Sequence, residues 1–192
     1  LSLRRNTKCQ FTWLVTTHEC HANDCTQRSR SGRISVGINI RQKGAEGERQ
    51  VAKALNEVIA AVLREQQWSP EVIAGCVNCV QRNQNQSAVG GCDLSNVFGI
   101  AIEIKRQEQL SVNTWWTQCV AAAARNREFP VLVYRQNRQS WSVVMYGSLA
   151  LPHVNEGGLG AVRSHSARVE VSWETFLEWF TAWVRNKLMN GE

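Results

Sequence analysis

With 192 residues and 43% apolar side chains, the chain can bury one core of ordinary size, and two full domains would each be short of interior. No stretch approaches the roughly 18 to 20 uninterrupted apolar residues of a membrane span, and residues 1–25 lack the short apolar core and small-residue cleavage site of a secretion signal. A cytoplasmic protein without membrane contact is therefore expected. The formal net charge of +6 is unevenly placed: residues 1–44 carry eight Lys and Arg against two acids, whereas residues 45–192 carry fourteen of each.

That imbalance predicts a basic N-terminal arm over residues 1–40 ahead of a neutral domain over residues 41–192. Such an arm can release counterions from a polyanion, or simply remain a solvated tail. Residues 1–33 show no sustained apolar period and contain the run Arg28-Ser29-Arg30-Ser31-Gly32-Arg33. Cys9, Cys20, His21 and Cys25, with His18 nearby, are soft metal donors. Their spacing matches no standard pattern and includes no CxxC, so a structural Zn²⁺ there is not expected. Seven cysteines cannot all pair within one chain, and without an export signal they read as reduced thiols. Cys76-Val77-Asn78-Cys79 is a CxxC without a second CxxC, and small buried apolar groups account for it.

Val51, Ala54, Leu55, Val58, Ile59, Val62 and Leu63 recur at helical spacing and predict a helix over about residues 46–66, ending before Ser69-Pro70. Glu48 lies seven positions before Leu55, hence two turns away on nearly the same face, which turns an acid toward the core side. Such placement is costly unless chemistry requires it. Residues 71–80 read as a weak strand, followed by the polar run from Gln81 to Gln86. Gly90-Gly91-Cys92-Asp93 then forms a turn leading to a carboxylate. From Ile100 to Lys105 the chain alternates strictly, with three isoleucines on one face and Ala101, Glu103 and Lys105 on the other.

Residues 114–127 predict a second helix that stops before Phe129-Pro130. Residues 131–135 and 141–146 read as two strands joined by a hairpin-length loop. Residues 151–166 read as a glycine-containing loop and residues 168–171 as a short strand. Residues 173–188 form a final amphipathic helix with Ser172 as its N-cap. Its stripe of Trp173, Phe176, Leu177, Phe180, Trp183 and Val184 should mostly cover the sheet, and any exposed remainder could serve a homodimer. Trp115 and Trp116 open the second helix; core packing should claim at least one, leaving the other able to stack on a base or sugar.

Asp93, followed after nine residues by Glu103-Ile104-Lys105, is the constellation to explain. Two carboxylates on adjacent strands are hard oxygen ligands able to hold Mg²⁺ while leaving positions for water and a phosphate oxygen. A lysine two residues along the same strand face can orient that water, and the metal lowers its pKa. The tripeptide alone is weak, because a surface Glu/Lys pair on a strand is common. Asp93 after a Gly-Gly turn, Glu48 near a helix start and the following helix and strand strengthen it. Arg41, Lys43, Arg82 and Arg106 flank these residues and are candidate phosphate contacts, although arginines also populate ordinary solvated surfaces.

These residues resemble a known family. Gly90-Gly91-Cys92-Asp93, Glu103-x-Lys105 and the upstream segment Lys43-Gly44-Ala45-Glu46-Gly47-Glu48-Arg49 are similar to PD-(D/E)xK nucleases, and within them to archaeal-type Holliday junction resolvases and related phage proteins. The resemblance covers about residues 41–147, and Cys92 replaces the proline that gives the family its name. It implies an α/β restriction-endonuclease-like core, a central mixed sheet flanked by helices. It implies that Asp93, Glu103 and the helix-borne Glu48 hold Mg²⁺, with Mn²⁺ as a substitute, that Lys105 is the catalytic lysine, and that Gln118 lies near the active site. The implied activity is phosphodiester hydrolysis, on branched DNA by analogy, in a phage or mobile-element setting. A restriction-like or replication nuclease on linear DNA, and a non-catalytic nucleic-acid-binding protein, are the alternatives. Fold does not fix substrate.

Overall fold

The computed structural model describes residues 40–83, 92–151, 154–155, 158–159 and 163–190. The basic arm and the cysteines and histidines before Ile40 lie outside them, as do the two glycines before Cys92. Helix α1 (Ile40–Glu65) is followed by α2 (Pro70–Cys76) and the short strands β1 (Gln81–Arg82) and β2 (Leu94–Ser95). Strand β3 (Ile100–Arg106), helix α3 (Val112–Asn126) and strands β4 (Phe129–Arg135) and β5 (Ser142–Leu151) come next. The pair β6 (Val154–Asn155) and β7 (Gly158–Leu159), strand β8 (Arg163–Ser172) and helix α4 (Trp173–Asn190) complete the described chain.

The main sheet runs β3-β4-β5-β8. Strands β3 and β4 are parallel, with Glu103 opposite Leu132 and Lys105 opposite Tyr134, and α3 is the crossover that a parallel pair requires. The remaining pairs are antiparallel, so the sheet is mixed. Alternation along each strand feeds two cores. Ile100, Ile102 and Ile104 join Val131, Val133, Val143 and Met145 under α1 and α4. On the other face Leu132, Tyr134 and Val144 meet Trp115, Trp116 and Cys119 of α3. The expected restriction-endonuclease-like α/β core, a mixed sheet with helices on both faces, is what forms.

The α1 stripe packs as its spacing predicts, with Val51, Leu55, Ile59, Val62 and Leu63 almost wholly buried and Ala54 and Val58 half-buried. The helix starts at Ile40, six residues earlier than the expected start at about residue 46. In α4, Phe176, Phe180 and Val184 are fully buried, and the Ser172 hydroxyl accepts the Thr175 amide in the expected capping contact. Both Trp115 and Trp116 are buried, so core packing takes the pair rather than one of them.

Two element expectations are corrected. Residues 71–80 do not begin a strand: Pro70–Cys76 is helical, with Ser69 as N-cap accepting from the Val72 amide and Pro at the first turn. The β-branched pair Val72-Ile73 suggested a strand, but the Ser-Pro-Glu start is a helix signal and it prevails. Residues 151–166 are not simply loop, because β5 and β8 continue pairing out to Leu151↔Arg163 and β6 pairs with β7. Polar and glycine-rich residues can sustain that ladder because its hydrogen bonds are backbone bonds, indifferent to side-chain pattern.

A second buried stripe on α1, Ala52, Asn56 and Ala60, faces Val80 and the start of β1. Asn56 Nδ2 donates to the Val80 carbonyl and its Oδ1 accepts the Val80 amide, both at 2.9 Å, so one side chain supplies Val80 with both partners that a strand neighbour would give. Asn56→Ala strands these two buried backbone groups and should cost about 2–3 kcal/mol, since each unsatisfied group costs roughly 1–3 kcal/mol. Urea unfolding checks this; a loss under 0.5 kcal/mol would mean water replaces the amide.

Candidate active site

Asp93 sits just before β2 and is only 6% exposed. Its position is fixed twice by β3: its amide donates to the Ile102 carbonyl at 3.0 Å, and its Oδ2 accepts the Ile104 amide. Its own carbonyl accepts from the Asn83 amide, tying the segment after β1 to the same place. Asp93 therefore lies along the edge of β3 that β4 does not occupy. The alternation of β3 turns Glu103 and Lys105 to one face, where Lys105 Nζ meets Glu103 Oε1 at 2.5 Å. Both side chains are largely sheltered, at 15% and 23% exposure.

Glu48, a little over two turns into α1, accepts from Arg82 Nε at 2.5 Å and is 14% exposed, so the acid is largely sheltered. Arg82 reaches it from β1, the strand that Asn56 holds against α1 through Val80. The groups form one electrostatic cluster. Burial first, and then Glu103 and Glu48, push the Asp93 carboxyl up to about 7 against the Ile104 amide and Lys105. Burial works against the Lys105 ammonium. The bond to Glu103 and the fields of Glu103, Asp93 and Glu48 outweigh it and hold Lys105 above its usual value.

Among the described residues, no three His, Cys, Asp or Glu side chains gather closely enough to hold an ion by themselves. The chemistry of the pair Asp93 and Glu103 nevertheless suits Mg²⁺. It is an oxygen-only set whose mutual repulsion a divalent cation would relieve, and Mg²⁺ is usually held by one or two carboxylates with water and phosphate completing the shell. Glu48 is committed to Arg82 in this arrangement and would join such a set only by exchanging that partner.

The other sequence candidates separate. Gln118 is exposed on α3 and has no hydrogen bond to the cluster, although its neighbour Cys119 touches the Ala101 carbonyl. Arg41 is exposed in the first turn of α1, and Lys43 pairs with Glu108 at 2.7 Å. Arg106 follows Lys105 but projects to the opposite face, against α1. Cys92 is buried with Ala101, Ala122 and Ala123, and burial pushes its thiol up to about 12. It is a neutral packing group. Burial raises Cys76 and Cys79 also, as expected for small apolar fillers rather than thiolate ligands. Sequence reasoning missed Asn56, which signals itself only by being polar within an apolar face.

A family model described as phage putative PDDEXK endonuclease matches residues 39–190, which include every residue of this cluster. No curated protein and no solved structure matches the chain.

Proposed function

Because the chain belongs to the phage putative PDDEXK endonuclease family, we propose that it is a Mg²⁺-dependent endodeoxyribonuclease acting on branched DNA. The observation that carries the chemistry is the convergence of Asp93, Glu103, Lys105 and Glu48 at one edge of β3. Asp93 and Glu103 would hold the metal, with Glu48 as a further acid, and Mn²⁺ would substitute. Bound there, Mg²⁺ would supply charge neutralisation at the scissile phosphate and a more acidic water.

The protein groups divide the remaining work. Lys105, with its pKa held above the usual value, stays an ammonium at neutral pH. It therefore acts by donating hydrogen bonds and charge, orienting the attacking water or a phosphate oxygen, and not as a base. Arg82 stands beside Glu48 with its side chain 31% exposed, where it can meet a backbone phosphate. Arg41, Lys43 and Arg106 would contact flanking phosphates and Gln118 the substrate side of α3; none of these contacts reads sequence. The basic residues 1–40 would add salt-sensitive attraction as a separate arm ahead of the nuclease domain.

Branched DNA is the finer part of the reading and rests on the sequence resemblance to junction resolvases. A two-fold junction would suit a symmetric dimer carrying two sites, working in the cytoplasm of a phage-infected cell. No helix among the described residues is long and apolar enough to cross a membrane.

The test is cleavage of a labelled four-way junction beside a linear duplex of the same sequence, with Mg²⁺ or EDTA. Symmetric nicking of the junction alone is expected. Equal cutting of both would leave a general endonuclease, and a monomer mass in sedimentation with DNA bound would remove the dimer. If folded protein binds DNA and cuts neither substrate, a non-catalytic binding role replaces the enzyme.

A further inference from the structure

Arg106 and Arg135 end the parallel strands β3 and β4 and are register partners. Their side chains share the α1 face on neighbouring strands about 4.8 Å apart, and the Arg106 charge bears on Arg135. Like charges so placed repel unless something negative accompanies them. The Nε of each is buried without a hydrogen-bond partner. Among the described residues no carboxylate forms an ion pair with either.

Arg135 is held in place by neutral groups: its guanidinium carbon lies 4.1 Å from the centre of the Trp141 ring, and one terminal nitrogen donates to Gln50 Oε1 at 2.6 Å. Burial and then the nearby Arg106 charge depress its pKa, against the opposing field of Glu46. Gly47 makes the arrangement possible, since a Cβ there would come within 3.2 Å of the Trp141 ring and 3.7 Å of the Arg106 stem. Glu46 and Glu108 lie within electrostatic reach of the pair, but Glu108 is bonded to Lys43 and Glu46 to Arg49, so neither ion-pairs with the two arginines, which remain the local excess of charge.

We propose that Arg106 and Arg135 form a two-arginine phosphate site that grips the DNA backbone on the α1 face of β3, next to the cleavage centre. This rests on the nuclease reading and deepens it, because it fixes where a second phosphate of the substrate lies. Arg106 is one residue beyond Lys105, and both lie at the carboxyl end of an end strand, where open α/β sheets receive ligands. A backbone passing that end meets Lys105 on one face and the arginine fork on the other. Paired guanidinium donors match phosphate oxygens and account for a placement that costs stability without an anion.

The test uses Asp93→Asn protein, full length, binding a labelled DNA duplex over a range of salt, with and without Arg106→Gln or Arg135→Gln. Each substitution should lower the slope of log affinity against log salt by about 0.9. The melting temperature of the free protein should stay the same or rise, because an unpaired buried charge has gone. Arg106→Lys keeps the charge without the fork. It should retain the slope and bind more weakly, and it keeps the question answerable if Arg106→Gln does not fold. An unchanged slope in both glutamine variants, with wild type still cutting DNA, overturns this site alone. Absence of both binding and cutting overturns the nuclease reading with it. A lowered melting temperature with unchanged slope would make the arginines structural and also overturns the site.

Discussion

Asp93→Asn should reduce Mg²⁺-dependent cleavage by on the order of a thousandfold or more, about 4 kcal/mol of transition-state stabilisation, while DNA affinity changes little. The amide can keep the hydrogen bond from the Ile104 amide, so the local fold survives, but it carries no charge for a hard cation. Lys105→Met should lose a comparable amount, because it removes a sheltered ammonium and leaves Glu103 without its partner. Lys105→Arg should recover little, since a planar fork cannot replace a point charge at that place. Single-turnover cleavage with excess enzyme separates these losses from binding. Retention of more than a tenth of wild-type activity by Asp93→Asn would remove Asp93 from the centre of the reaction.

The same substitution should act oppositely on stability. In the native state the Asp93 carboxyl titrates at about 7, whereas an unfolded aspartate titrates near 3.9. Between those values the native protein keeps a proton that the unfolded chain has released. Stability therefore falls as pH rises through the window and is lowest above pH 7, where the native carboxylate is charged in a buried site. Each pH unit between the two pKa values is worth about 1.4 kcal/mol. In EDTA, Asp93→Asn should resist urea better than wild type at pH 8, and the gap should close toward pH 4. Mg²⁺ at pH 8 should stabilise wild type and leave Asp93→Asn unmoved, because only wild type holds the carboxylate. A variant less stable than wild type at every pH would mean that the Ile104 contact outweighs burial. Together these two results would mark a site that gives up stability for a reaction.

The elements carrying the proposed site were legible because they follow strong local rules. The α1 stripe and the strict alternation of β3 each bury one apolar face, and a single period then dictates where Glu48, Glu103 and Lys105 point. Ser172 as a cap follows equally local chemistry. The errors fell where two local signals competed or none was present. Residues 71–80 combine β-branched Val72-Ile73 with a Ser-Pro-Glu helix start, and β8 has a polar, glycine-flanked beginning that only its partner strand organises.

The sequence by itself determined the mixed α/β core and the one-sided placement of the acid and lysine on β3, because burial of apolar faces leaves little freedom over where the intervening polar residues go. Only the tertiary structure decided which partners those groups acquire. Arg82 on Glu48, Asn56 on Val80, and Arg106 beside Arg135 are contacts between residues 24 to 34 positions apart, or between register partners on separate strands. No periodicity encodes them, because they depend on how helix and sheet are set against each other. That packing also creates the burial that raises Asp93 and, among the described residues, leaves two neighbouring arginines without an ion-paired carboxylate.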